Sequence, residues 1–179
     1  MRARSAVVAA AVLGVLLPGA PAVAAAPAAP IRADVSPQDR EYLNRVHQAD
    51  LFEIVAGRLA DRGACARVRE LGQEFAEHHT ALDADLIGVA ARAAVPLYSV
   101  PEPEQLGQIA DLAARSGADF DGAWLRDQIA AHVRVLAVGD AETRYGWSAE
   151  VRALAVRAEP VLRHHLEEAV GALETCPPG

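Results

Sequence analysis

Residues 94–118 read AVPLYSVPEPEQLGQIADLAARSGA, and how the chain crosses this stretch decides the fold. Pro96, Pro101 and Pro103 keep its first half out of any long helix, and EQLGQIADLAARS supplies one short helical piece before Gly117. On both sides, apolar residues recur at helical spacing. A first long helix is predicted from Pro37 to Ala60 behind a Ser36 cap, and a second from about Ala66 to Ala93. A third is predicted from near Asp119 to Tyr145. A fourth follows from the Ser148 cap to about Leu173, with Pro160 expected to kink or divide it. No segment shows the alternation of a strand, so an all-α domain is expected.

Connections between antiparallel helices in bundles usually take about 2–8 residues. The turns at 63–65 and 145–148 fit that range; the 94–118 stretch is far longer and can travel the length of a bundle. The cysteines bear on the same point. Cys65 and Cys176 are the only two, and in an exported chain they make one disulfide most simply. In an up-down-up-down bundle they would sit at opposite ends. A long crossover brings them to one end, and a bridge needs Cα atoms within about 7 Å. Loop length and cysteine pair together predict a ferritin-like four-helix bundle with its long crossover between the second and third long helices.

The start of the chain has a different character. Arg2 and Arg4 precede the apolar run AVVAAAVLGVLLPGA, and Ala22-Val23-Ala24 has the small-x-small form of a cleavage site. Residues 1–24 are therefore expected to be a secretory signal peptide, 25–35 a flexible Pro/Ala leader, and 36–175 the bundle domain. No later run is long and apolar enough to span a bilayer, so the product is expected to be secreted or held in the cell envelope. The formal charge is −7, and every basic residue is arginine. An acidic chain without a basic stripe argues against nucleic acid as a partner, and the lack of lysine excludes a Walker loop and Schiff-base chemistry.

Imidazoles at interior positions carry the functional expectation. His79 falls in the stripe of Phe75, Leu82, Leu86 and Val89; His132 shares a face with Leu125, Ile129 and Leu136. His165 lies with Ala158, Leu162 and Ala169, while Glu53 is in register with Val46 and Ala60. At 1.5 Å per residue, Glu53, His79 and His165 lie roughly 18, 21 and 16 Å from the cysteine end. His132 lies roughly 22 Å from the opposite end, so the four meet near mid-height. One carboxylate and three imidazoles are costly to bury unless paired, and a zinc, copper, iron or manganese ion would satisfy them all. Asp50, Asp83 and Glu168, each one turn from a proposed ligand, are expected to orient the rings. His78 is a possible auxiliary ligand and His47 another, both toward the rim, with His164 in solvent. Trp124 and Trp147 are expected to pack the bundle ends.

From Ser36 to about Leu173 the chain resembles the exported bacterial domain-of-unknown-function 4142 family, often labelled "predicted outer membrane protein". The resemblance is carried by SPQDREYL, ADLFEIVAGRLA around Glu53, EHHTALDADL around His79, SGADFDGAWLRDQIAAH ending at His132, and PVLRHHLEEA around His165. It implies a ferritin-like bundle with polar residues at those four positions, and it brings no established activity. The chain departs from the pattern at His78, where an acidic residue is usual, and at Trp124, where a tyrosine is usual.

The expected function is thus binding of a single transition metal by Glu53, His79, His132 and His165, for metal handling or envelope stress protection. Two alternatives stand beside it: a metal-free envelope interaction module with a buried His/Glu hydrogen-bond network, and a small metal-dependent oxidoreductase. The paired Glu-x-x-His motifs of dinuclear carboxylate sites are missing.

Overall fold

A computed structural model describes residues 35–176; the signal-peptide and most of the leader expectations lie outside the described residues. The described chain is helical, with no strand among its residues. Four long helices, α1 (Pro37–Leu59), α2 (Ala66–Arg92), α4 (Gly117–Tyr145) and α5 (Ala149–Thr175), accompany the short α3 (Pro103–Ala114). A single 3-10 turn, Ala60–Arg62, follows α1.

The helix starts are chemically marked. Ser36 Oγ accepts from the Asp39 amide at 3.1 Å while the Asp39 carboxylate accepts from the Ser36 amide at 2.5 Å, closing a capping box ahead of Pro37. Ser148 caps α5 through Val151. α5 runs unbroken through Pro160, contrary to the expected division. Proline removes one amide donor there, and both Pro160 and Val156, the residue whose carbonyl would have accepted it, lie on the exposed face of the helix.

α1 packs on α2 and α4 on α5, while α1 also meets α4 and α2 meets α5. Helix ends fix the directions. The Asp121 carboxylate, near the start of α4, accepts from the Ala64 and Cys65 amides at the start of α2. Asp39, at the start of α1, accepts from the Trp147 and Ser148 amides at the start of α5. α2 and α4 therefore start at one end, α1 and α5 at the other. Cys65 and Cys176 lie at disulfide distance, with Cα atoms 5.8 Å apart. The segment between α2 and α4 is pinned along α1: Asn44 bonds the Pro96 carbonyl and the Tyr98 amide, and Gln48 bonds the Val100 carbonyl. α3 then lies against α1 and α4.

Two apolar clusters fill the interior. The one toward the cysteines is aromatic (Phe52, Phe75, Phe120, Trp124), and the other is mainly aliphatic (Leu43, Val46, Leu86, Val89, Leu154) around Tyr42. Trp124 is fully buried and donates its indole N–H to the Ala56 carbonyl, whereas Trp147 is 73% exposed and packs no end. Between the two clusters lies a polar layer.

Candidate metal centre

The layer is built by register. Along α2, His79 follows Phe75 by one turn and precedes Leu86; on α4, His132 lies between Leu125 and Val135; on α5, His165 lies between Leu162 and Ala169. All three are buried, with His132 and His165 fully so. Their nearest ring nitrogens converge: His79 Nε2 is 3.4 Å from His132 Nε2, which is 3.2 Å from His165 Nδ1. One ligand atom from each lies within 4.8 Å of the others. Phe75 stacks on His165 with ring centroids 4.0 Å apart and tilts against His132 at 5.3 Å, so an aromatic wall fixes both rings.

The outward nitrogens are held as well. Asp50, one turn before Glu53 on α1, places Oδ1 2.7 Å from His79 Nδ1. His132 Nδ1 donates to the Gln128 carbonyl at 2.9 Å, a partner the sequence reading missed although it lies one turn before the ring. Glu53 is placed differently from its three companions. It is buried, but its carboxylate sits on the Nδ1 side of His132, 3.8 Å away, and outside the converging group. Neither of its oxygens has a hydrogen-bond partner among the described residues.

The other expected participants separate. His78 is half-buried, and its Nδ1 is 2.9 Å from His165 Nε2. Asp83 meets His47 Nδ1 at 2.5 Å rather than a ring of the focus, and His47 is buried, not at the rim. Glu168 pairs with Arg67 and touches no imidazole among the described residues. His164 is exposed, as expected, and lies 3.7 Å from Glu74. Glu74 precedes His78 by four residues, one helical turn, rather than the three of a Glu-x-x-His motif.

Burial governs the charges. It pushes His79 and His132 down to about 3 and His165 to about 2, and neighbouring histidines add to each shift, so the three rings stay neutral at physiological pH. Burial also raises the Asp50 and Glu53 carboxyls well above their ordinary range, and Asp83 raises Asp50 further. Neutral imidazoles with free lone pairs, backed by acids that resist ionising, are a donor set for a soft or borderline cation.

An all-helical domain with a buried three-histidine focus is thus defined. The chain belongs to the family described as "Domain of unknown function (DUF4142)", whose profile matches residues 24–171. Searches of the curated proteins and of the solved structures return no match.

Proposed function

We propose that this chain is an exported, ferritin-like four-helix bundle with one long crossover, and that it holds a transition-metal ion on His79, His132 and His165. Its role would be metal handling or protection in the cell envelope. One observation carries the metal reading. Gln128 offers only a carbonyl to His132 Nδ1, so that nitrogen must carry the proton; burial opposes an ionised Asp50, and a cation at the focus that restored its charge would demand the same of His79. The two Nε2 lone pairs then face each other at 3.4 Å, where no proton is available to join them. A divalent cation at the focus relieves that repulsion, and its charge also allows the buried Asp50 and Glu53 to ionise together. Glu53, expected as a fourth ligand, supports the site from behind His132. Three imidazoles leave a coordination position open for water or a small ligand, which is the form catalytic zinc sites take. The cysteine pair supports an oxidising compartment.

A second reading rests on the raised Asp50. A protonated Asp50 donates to His79 Nδ1, places the ring proton on Nε2, and closes a metal-free chain to His132. Metal analysis of untagged, leader-free protein separates the two. Wild type should gain about 2.7 kcal/mol of unfolding free energy when zinc is present at about 100 times its Kd. His132→Gln and His165→Gln should lose that gain, along with about one bound ion per chain. Equal and negligible metal in all three proteins would establish the hydrogen-bonded module instead.

A further inference from the structure

His165 has two ring nitrogens, and they face different neighbours. Nδ1 points to His132 in the focus, while Nε2 lies 2.9 Å from His78 Nδ1 on the side toward solvent. The His78 and His165 rings are parallel, 1° apart, with centroids separated by 5.2 Å. With Glu74 they form a second group whose ligand atoms lie within 4.8 Å of one another. His164 stands at its mouth, its Nε2 3.7 Å from Glu74 Oε1. Access is graded: His165 is fully buried, Glu74 and His78 are half-buried, and the His164 side chain is 55% exposed. Among the described residues no arginine pairs with Glu74, so its charge is unmatched by any fixed cation. A hydrogen bond from His78 to His165 and the contact of Glu74 with His164 pair these groups two by two, but neither pair accounts for Glu74 lying within ligand range of both His78 and His165.

We infer that Glu74, His78 and Nε2 of His165, with His164 at the rim, form a second, solvent-reached site for a zinc- or copper-class cation that shares His165 with the inner focus. The inference rests on the metal reading of that focus. An ion arriving from solvent meets His164 and Glu74 first, then the shared ring. When both sites are filled, the remaining N–H bond of His165 breaks and its proton leaves to solvent. The freed electron pair makes the second metal–nitrogen bond, and no electron changes hands. Two divalent ions then face Asp50, Glu53, Glu74 and one imidazolate, a set whose formal charges balance.

Zinc titration of the disulfide-intact protein by calorimetry, with copper(II) resonance spectra of the same samples, tests the assignment. Wild type should take up about two ions, and His78→Gln and Glu74→Gln about one each. Both substitutions are at half-buried positions, and circular dichroism checks that each variant is folded. His132→Gln should lose the inner ion and keep the outer one. Copper-loaded wild type should show the spectrum of a spin-coupled pair, and His78→Gln that of an isolated ion. Uptake of a single ion that disappears in His132→Gln and is untouched in His78→Gln would overturn the outer site and leave the inner one standing. Two ions that ignore both His78→Gln and Glu74→Gln, or that give uncoupled spectra in wild type, would also overturn it. No uptake by any variant would remove both sites.

Discussion

The hairpin α1–α2 and the hairpin α4–α5 use the same turn, yet they are held with unequal force. The first turn reads GACARVREL from Gly63 and the second GWSAEVRAL from Gly146. In the first, Asp121 accepts from two successive amides, and Arg69 bonds the carbonyls of Gly63 and Ala64. In the second, Asp39 accepts from two successive amides, and Arg152 bonds the carbonyls of Gly146 and Trp147. Each hairpin thus caps the other, which fixes how the two are set together and how the histidines from both meet. Around this shared device the hairpins differ. The turn of the first is joined to the end of α5 by Cys65 and Cys176, and its own helix backbones come into contact at Gly57 and Gly72. The second carries a serine in place of Cys65, and a cleft of about 330 Å³ opens between it and α1, lined by Tyr42, Val135, Gly139 and Leu162. Equal capping therefore sets geometry, while stability is concentrated at the cysteine end.

Removing the covalent tie should have the largest effect on that asymmetry. The cysteines are 111 residues apart, so the bridge restrains most of the described chain once it unfolds. The double variant Cys65→Ser with Cys176→Ser should lose about 4 kcal/mol in urea denaturation relative to the oxidised protein. A loss below about 1 kcal/mol would place the stability away from the cysteine end and remove the contrast between the two ends.

A matched pair of glycines sharpens the same contrast. A methyl at Gly72 would collide with Ala60 Cβ and the Gly57 carbonyl, so Gly72→Ala should force α1 and α2 apart at a cost of about 3 kcal/mol. At Gly139 nothing stands within 4 Å of an added Cβ. Gly139→Ala should stabilise the protein by about 0.5–1 kcal/mol, because alanine narrows the unfolded ensemble and suits a helix. Thermal or urea midpoints moving in the same direction for both variants would show that the hairpins are packed alike.

Much of this was legible before coordinates. Ser36, Pro37, Gly63 and Ser148 mark helix ends by local chemistry, so the long helices fall within a few residues of their predicted bounds. Helical register alone brings His79, His132 and His165 inward. Register does not say on which side of a ring a neighbour will lie. Glu53 points inward as expected, but it comes from an adjacent helix at a height that meets His132 Nδ1, and Asp50, one turn earlier, takes the place beside His79. The roles of Asp39 and Asp121 depend on partners 108 and 57 residues away, which no local pattern reveals. Trp147 shows the limit of composition: a large apolar ring suggests packing, yet its position in the turn leaves it exposed. Pro160 shows the limit of propensity, since a proline on the wet face of a well-packed helix does not end it.

A smaller effect separates the two turns by pH. The Gly63 amide closes on the Ala60 carbonyl, and the Gly146 amide closes on the carbonyl of Glu142. Only the second of these residues bears a carboxyl. Burial, and then ionised Asp39 beside it, push Glu142 up from 4.5 to about 7, against the opposing pull of Gln38 and Arg152. The folded state therefore keeps a proton that the unfolded state has released between about pH 4.5 and 7, and stability from this group falls as pH rises through that window. Asp39 behaves oppositely. Burial raises it, but bonds from Ser36 and Ser148 hold it below 3.8, so its contribution is lost only in stronger acid. Glu142→Gln keeps the shape and removes the titration. The variant should match wild type near pH 5 and exceed it by about 1–2 kcal/mol near pH 7.5, in urea denaturation with chelator present. The buried imidazoles, whose depressed pKa values give the opposite slope, are common to both proteins and cancel in the difference. A constant offset across the range would mean that Glu142 is ionised in the folded protein throughout, and that the two turns respond to pH alike.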